Sequence, residues 1–539
     1  MNSDKSALLG DEAVALGAIH AGISAAYGYP GTPSTEILQC LIDETGNGGH
    51  TARWCSNEKT ALEAALGVSF AGRRSIAVMK HVGLNVAADP FINSALLGIK
   101  GGLVIAVADD PGMHSSQNEQ DSRFYAGFAM IPCLEPRNQQ EAYDMTREAF
   151  DVSEKFQIPV LLRLVTRLSH ARAAVVTQKQ KEQNPVSKTA EKNRWMLLPS
   201  FARKNYCGLL EKQKELLKWS ENHPSNKLTI PSGSKGDLAV ITSGLGGNYY
   251  EENLDDLIDF RKKRKKKEPI HLHIGAYPVP EEKIKKICSL ADEVLIIEEG
   301  QSYISKMLYG IAGGNVKPVI QYGELDPDIV RQVLSLPPRK SVKLNITELP
   351  QRPPQLCQGC PHCDSYNAIN KAVKEIDPRP GHPDVSINSD IGCYSLGAAP
   401  PYSAIESIVC MGACVGMAKG ASDAGMKYAV AVIGDSTFIH SGITPLIDAV
   451  ECNIPVTIII LDNSSVAMTG CQPTILGSEK LKNLILGCGV NQDHLLELEA
   501  KPGLVDENSV KLRREIECRG LSVVIFRREC LEAFRKKKS

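Results

Sequence analysis

The sequence is short of aromatic side chains, short of net charge, and without any apolar run long enough to cross a bilayer. Only 5% of its 539 residues are aromatic, so stacking platforms for bases or sugars are not favoured. Basic and acidic side chains balance to a formal net charge of -1, which gives no overall attraction to nucleic acid or acidic lipid. A spanning helix needs about 18 consecutive apolar residues. The longer apolar stretches here, such as Leu103–Ala108, suit a buried strand instead. Met1 to Gly10 is polar and lacks the basic-then-apolar pattern of a secretory signal. These absences predict a cytoplasmic protein that uses neither membrane nor nucleic acid, with its sixteen cysteines outside disulfides.

What is present reads as α/β, with mainly parallel sheets spread over three modules. Hydrophobic residues make up 43% of the chain, an ordinary globular share, and its length suggests about three domains. Strand-like runs at Ser75–Lys80, Leu103–Ala108 and Pro159–Val165 alternate with amphipathic stretches, marking a first module over 1–180. Residues 181–236 turn polar and lysine-rich, with Pro185, Pro224 and Pro231, and read as a connector carrying one or two surface helices. Runs at Leu238–Thr242, His271–Ile274 and Glu293–Ile297 mark a second module over 237–345. After Pro350, Pro353 and Pro354, strands at Val385–Asn388, Tyr428–Ile433, Thr457–Leu461 and Ser522–Phe526 define a third over 346–539. The seven basic residues Arg261–Lys267 have no aromatic companions and read as a solvated helix end.

The most informative pair of segments is Ala429-Val-Ala-Val-Ile-Gly-Asp-Ser436 and Val456-Thr-Ile-Ile-Ile-Leu-Asp-Asn463. Each is a buried strand ending in a polar group at the carboxyl edge of a parallel sheet, where open α/β folds bind ligands. Asn463 follows Asp435 by 28 positions, a separation that resembles the Gly-Asp-Gly…Asn-Asn motif of thiamine-diphosphate enzymes. Ser436 and Asp462 depart from that pattern. A divalent ion bridging two phosphates wants hard oxygen ligands in near-octahedral geometry. The resemblance implies a Mg²⁺ ion held by the Asp435 carboxylate, the Asn463 side-chain carbonyl and the Ser465 backbone carbonyl, with Gly434 allowing close approach to the diphosphate and Ser436 beside it.

Thiamine diphosphate also needs a carboxyl group against its aminopyrimidine ring, supplied in such enzymes by a separate α/β domain. Ser56-Asn-Glu-Lys-Thr-Ala-Leu-Glu-Ala-Ala-Leu-Gly67 offers Glu58 in the opening turn of a helix, where helix-terminus electrostatics is the alternative reading. The segments Tyr27-Gly-Tyr-Pro-Gly-Thr-Pro-Ser34, Asn57-Glu-Lys59, Met79 to Pro90 and Gly112 to Arg123 resemble the alpha subunits of the indolepyruvate ferredoxin oxidoreductase family. So do Gly434 to Gly442 and Asp462 to Gly470, and the resemblance extends from about residue 7 to residue 530. It implies a transketolase-like and pyruvate ferredoxin oxidoreductase-like architecture, with pyrimidine-binding, transketolase C-terminal-like and diphosphate-binding modules in chain order. Glu58 becomes the cofactor-activating carboxyl group and Thr32 a substrate contact, although a plain turn hydroxyl beside Pro33 also explains Thr32. Lys80, His81, His114 and Arg123 are candidate pocket groups, each with a surface or core role as its alternative.

Cys357-Gln-Gly-Cys360 resembles the Cys-x-Gly-Cys of pyruvate-type ferredoxin oxidoreductases, where the pair helps hold a [4Fe–4S] cluster. Cys393 and Cys530 fit best as the other two ligands, with Cys363 and Cys471 as spares. Uncoordinated thiols are one alternative, and a zinc site using His362 is another, crowded because His362 lies two residues past Cys360. Two departures stand out. The related subunits usually carry a ferredoxin-like segment, which the sequence up to Ser539 does not contain, so electrons are expected to leave through another polypeptide. The family usually has histidine where this chain reads Thr469-Gly-Cys471, which makes Cys471 a candidate determinant of the preferred 2-oxoacid. The activity implied is oxidative decarboxylation of an arylpyruvate to its acyl-coenzyme A. The expected partners are a beta-type subunit in a dimer of heterodimers and a ferredoxin, with non-oxidative decarboxylation or a silent scaffold as alternatives.

Overall fold

A computed structural model describes residues 5–187, 195, 197, 199–231, 235–308, 316–318, 324–339, 355–408 and 410–538. The chain divides into two compact units, Met1–Lys343 and Leu344–Ser539.

The first unit contains a seven-stranded and a five-stranded sheet. The larger runs in the order Ala276–Tyr277, Cys133–Leu134, Val160–Val165, Leu103–Asp109, Ser75–Lys80, Ala25–Gly28, Thr51–Trp54. Every neighbouring pair is parallel except the first, which is antiparallel. Ser75–Lys80 and Leu103–Asp109 are buried along their whole length. Continuous apolar strands are what a parallel sheet covered on both faces requires. The second sheet runs Val316–Pro318, Ala291–Ile297, Gly236–Ser243, Ile270–Ile274, Leu228–Thr229, and one hydrophobic core serves both sheets. The stretch read as a polar connector contains the helix Pro199–Asn222, which buries Leu209 and Leu216.

Arg163 sits in the middle of a core strand, where an unpaired charge would be prohibitive. Its guanidinium donates to Asp109 Oδ2 at 2.7 Å and to the Glu299 carbonyl at 3.2 Å, and pairs closely with Glu135. The same Glu299 carbonyl accepts from Arg123, which also donates to Ser243 Oγ at 3.1 Å. The network thus ties the two sheets of this unit together, and removing one partner from such a buried set costs about 3–5 kcal/mol.

The second unit is a six-stranded, all-parallel sheet in the order Ser407–Ile408, Val385–Ser389, Tyr428–Gly434, Val456–Asp462, Ser522–Arg527, Leu495–Glu499. Alternate residues of its central strands feed two cores. Ala429, Ala431, Ile433, Ile458 and Ile460 pack on one face; Val430, Val432, Ile459 and Leu461 pack on the other. Gly434 pairs with Leu461, so the two strands end level and deliver Asp435 and Asp462 to the same carboxyl edge. The strands expected from sequence in both units are present, to within two residues at their ends. The basic run from Arg261 lies at the end of the helix Leu245–Lys262, and apart from Arg261 it is exposed. Among the described residues no helix is long and apolar enough to cross a membrane.

Candidate active site

At the carboxyl edge of the second unit, Asp435 and Asp462 lie side by side with their carboxyl groups buried. Burial, and then the neighbouring Asp462, push the Asp435 carboxyl well above the usual range. Two carboxyl groups held this close out of water repel one another; Arg527 Nε, 3.4 Å from Asp462 Oδ2, balances one of the two charges, and a proton or a cation would balance the other. The Ser464 amide donates to Asp435 Oδ2 at 3.0 Å and to Asp462 Oδ1 at 3.2 Å, which fixes the turn joining them. Asn463 is buried, and its side-chain amide meets His362 Nε2 at 3.3 Å. Burial holds the His362 imidazole down to about 4, so it is neutral and accepts from the Asn463 NH₂. That orientation leaves Asn463 Oδ1 as the outward acceptor, engaged so far only by the Ser465 amide at 3.1 Å. Ser465 is itself buried, in a short ladder with Gln472–Pro473. A carboxylate, an amide oxygen and a backbone carbonyl are hard oxygen donors, the type that Mg²⁺ takes.

Asp390 and Tyr394 are functional-site residues that no sequence motif singles out. Asp390 ends the neighbouring strand, and burial pushes its carboxyl up to about 6. It accepts from the Gly412 amide at 3.0 Å and closely from the Tyr394 hydroxyl. A Cβ added at Gly434 would stand 2.5 Å from Tyr394 Cε1, so the tyrosine ring occupies the space that the glycine leaves open. The available signal was positional: Asp390, like Asp435, directly follows a buried strand.

The cysteines gather in the same unit. Cys393 has the thiols of Cys530, Cys357 and Cys471 around it, and Cys360 has those of Cys363, Cys357 and Cys393. Burial comes first in raising Cys393 to about 11 and Cys360 to about 12, with the neighbouring thiols adding to it. Four thiolates on one mononuclear zinc would stand about 3.8 Å apart, given Zn–S bonds of about 2.3 Å. Among the described residues, no three cysteine or histidine ligand atoms lie within 4.8 Å of one another; only Asp11, Glu36 and His170 form so tight a group. Cys363 Sγ lies 3.9 Å from the Cys357 carbonyl, and Cys471 has a left-handed backbone with φ of 65°.

In the first unit, Glu58 begins the helix Glu58–Phe70, which is capped by Asn57 accepting from the Thr60 amide at 2.9 Å. The Glu58 side chain is buried against Gly83, where an added Cβ would stand 2.5 Å from Glu58 Oε1. Lys80 is buried beside it. Burial pulls the ammonium down to about 8, while Asp110 and Glu58 act in the opposite direction. Lys80 Nζ donates to the Ser115 carbonyl at 3.4 Å, and Ser115 Oγ donates to the Thr32 carbonyl at 3.3 Å. Thr32, Lys80 and Glu58 therefore share one neighbourhood. His81 opens the helix that carries Gly83 and is buried, with Nε2 at 3.0 Å from the Asn118 carbonyl. The other two candidates are engaged with other partners. His114 is exposed, paired with Glu324 at 3.2 Å, and Arg123 is fully buried in the network between the sheets.

Residues 16–206 match the family model described as "Pyruvate flavodoxin/ferredoxin oxidoreductase, thiamine diP-bdg", and residues 390–485 match "Thiamine pyrophosphate enzyme, C-terminal TPP binding domain". Fold and site together define a thiamine-diphosphate-dependent 2-oxoacid oxidoreductase polypeptide. The indolepyruvate oxidoreductase subunit IorA of Archaeoglobus fulgidus is 37% identical over 98% of this chain and 86% of its own length. That of Methanothermobacter marburgensis is 38% identical, over 98% and 87%. The chain belongs to the family of indolepyruvate oxidoreductase IorA subunits. Among solved structures, a 2-oxoglutarate:ferredoxin oxidoreductase from Magnetococcus marinus shares the fold, with a TM-score of 0.53, 16% identity and coverage of 62% of this chain and 65% of that one.

Proposed function

We propose that this subunit oxidatively decarboxylates an aryl 2-oxoacid, indolepyruvate or a related arylpyruvate, in the balanced reaction 2-oxoacid + coenzyme A + two oxidised ferredoxins giving acyl-coenzyme A, carbon dioxide, two reduced ferredoxins and a proton. The observation that carries the reading is the turn at Asp462–Ser465, which joins an oxygen donor set to the cysteine cluster through the Cys530 amide, 3.1 Å from the Asn463 carbonyl. Asp435, Asn463 and the Ser465 carbonyl would hold Mg²⁺ against the diphosphate, with Gly434 and Ser436 beside it. The crowding of two buried carboxyl groups supports a cation there. Thiamine diphosphate, when bound, supplies the electron sink that makes loss of carbon dioxide feasible.

The remaining work falls to side chains of the chain itself. Glu58, buried and fixed by Gly83, would hold a proton against the pyrimidine ring. Lys80 would face the substrate carboxylate and Thr32 would position the keto group, while Cys471 shapes the pocket for the 2-oxoacid side chain. Cys357, Cys360, Cys393 and Cys530 would ligate a [4Fe–4S] cluster through which electrons leave one at a time. A beta-type subunit, and ferredoxin or a separate ferredoxin-like subunit, complete the enzyme in this reading, arranged as a dimer of heterodimers. Residues 1–180, 237–345 and 346–539 would be its pyrimidine, transketolase C-terminal-like and diphosphate modules, joined by 181–236.

The test is anaerobic purification, with iron and thiamine analysis and then 2-oxoacid-dependent reduction of a viologen dye. About four irons per chain with arylpyruvate-dependent dye reduction is the expected result. Aldehyde release from an iron-free protein would overturn it in favour of a non-oxidative decarboxylase.

A further inference from the structure

The first unit holds a second cluster of ligand-type side chains, apart from Glu58 and Lys80. Asp11 lies in the first turn of the helix Gly10–His20, Glu36 in the first turn of Thr35–Asp43, and His170 at the end of Thr166–His170. One ligand atom from each falls within 4.8 Å of the other two. The scaffold beneath them is tight. A Cβ at Gly10 would stand 2.2 Å from the Leu168 carbonyl oxygen, and the Gly10 amide donates to the Ala171 carbonyl at 3.2 Å.

Asp11 is fully buried, and neither carboxylate oxygen makes a hydrogen bond of good geometry, although the Ser169 hydroxyl stands close enough to lower its carboxyl. Such a group costs several kcal/mol unless it is neutralised or paired. Burial pushes its carboxyl up to about 8, and Glu36 and Glu12 raise it further. Among the charged groups around it only His170 acts the other way. Glu36 Oε2 lies 3.7 Å from His170 Nε2, an ion pair in which the carboxylate raises the imidazole and the imidazole lowers the carboxyl. That separation is close to the edge of about 3.4 Å expected between two ligands of a tetrahedral ion with bonds of about 2.1 Å. Once Asp11 and His170 give up their protons, as metal binding requires, two carboxylates and a neutral imidazole carry two negative charges, the complement of a divalent cation. Mixed oxygen and nitrogen donors suit a first-row transition ion.

We propose that Asp11, Glu36 and His170 form a binding site for a divalent first-row transition ion such as manganese or zinc, completed by water on the exposed side of Glu36 and His170. The ion would clamp three helix ends. One of these helices starts directly after the Thr32–Pro33 turn, where the Gly31 amide donates to Thr35 Oγ1 at 3.0 Å. A cation at Glu36 would therefore brace the turn carrying Thr32, a structural role that does not depend on the reaction proposed above.

The test uses the full chain carrying thiamine diphosphate and Mg²⁺, titrated with Mn²⁺ while the free-ion EPR signal is followed, because manganese binds thiols poorly. D11N, E36Q and H170Q are titrated in parallel, so that any exchange at the magnesium site is common to all four proteins. The wild type is expected to take up one more Mn²⁺ than the variants, each of which binds it at least tenfold more weakly, and to gain thermal stability on binding. If D11N does not fold, the half-exposed positions in E36Q and H170Q decide alone. Equal uptake by wild type and variants, or wild-type melting indifferent to Mn²⁺, would overturn the proposal and leave Asp11 as a protonated core carboxyl.

Discussion

The backbone carbonyl of Asn463 accepts the amide of Cys530 at 3.1 Å. On the other side of the same residue, the Asn463 side-chain amide meets His362, two positions past Cys360. An asparagine placed to present oxygen to a cation is thus braced by both ends of the cysteine constellation. If the turn holds the cofactor and the cysteines a cluster, as proposed above, the two sites are joined by covalent and hydrogen-bonded structure, and substitution can address each in turn.

Cys530→Ser keeps the backbone amide that holds Asn463 and removes only the thiol. The variant should lose the broad visible absorption of an iron–sulfur protein and most of its iron, while binding thiamine diphosphate within about threefold of wild type. Dye reduction should fall at least 100-fold. A C530S protein with full iron content would remove Cys530 from the ligand set.

His362→Leu takes the opposite course. It leaves all the cysteines in place but abolishes the acceptor that turns the Asn463 amide. Partners that orient metal ligands are typically worth 10–100-fold in metal affinity. The Mg²⁺ concentration needed for half-maximal coenzyme binding, read by near-ultraviolet circular dichroism, should rise by about that factor.

Gly83→Ala tests the positioning of Glu58. The new Cβ would stand 2.5 Å from Glu58 Oε1 and within 3 Å of its Cγ and Cδ, so the carboxylate has to leave its place. Overpacking of this kind costs about 1–3 kcal/mol in stability. The larger expected effect is on turnover, a drop of at least 100-fold with coenzyme affinity little changed. A G83A enzyme of normal kcat would show that Glu58 has no part in proton handling.

Much of this was legible beforehand, and for physical reasons. Parallel strands buried on both faces must be continuously apolar, so Leu103–Asp109 and Val456–Asp462 announce themselves by composition. Polar residues that end such strands, Asp435 among them, fall on the ligand-binding edge by geometry alone. Asp390 obeys the same rule, yet its meaning depends on the Gly412 amide and the Tyr394 hydroxyl, contacts that no local spacing encodes. Arg123 sits in a polar stretch that reads as a pocket loop. Its burial is created by Ser243, Tyr277 and the Glu299 carbonyl, all more than a hundred positions away. The Asp11, Glu36 and His170 group is likewise invisible in sequence, because three separate helix ends supply it.

Lys80 gives a pH signature. Its ammonium is held down to about 8 by burial, so it is charged below that pH and neutral above it. If it faces the substrate carboxylate, KM for the 2-oxoacid should rise about tenfold for each unit of pH above 8 while kcat changes less. Lys80→Arg, which stays protonated throughout, should flatten the profile. A KM independent of pH between 7 and 9.5 in the wild type would place the substrate carboxylate elsewhere.

Glu299 should set a pH limit on the stability of the first unit. Its Oε1 accepts from the Leu325 amide at 2.9 Å, whereas Oε2 is buried with no partner. Burial pushes the carboxyl up to about 7, against about 4.3 in an unfolded chain. A carboxyl group raised by folding contributes its full stability below the unfolded value, and loses it as pH rises through the folded one. Between about pH 4.3 and 7 the native state therefore forfeits roughly 4 kcal/mol that a neutral side chain of the same shape would keep. Glu299→Gln retains the Oε1 acceptor and cannot ionise. Its melting temperature should match wild type near pH 4.5, to the extent the protein stays soluble, and exceed it by several degrees at pH 8. A constant difference across that range would mean that Glu299 is already ionised in the folded protein, paired through Arg163 and Arg167 rather than held neutral by burial.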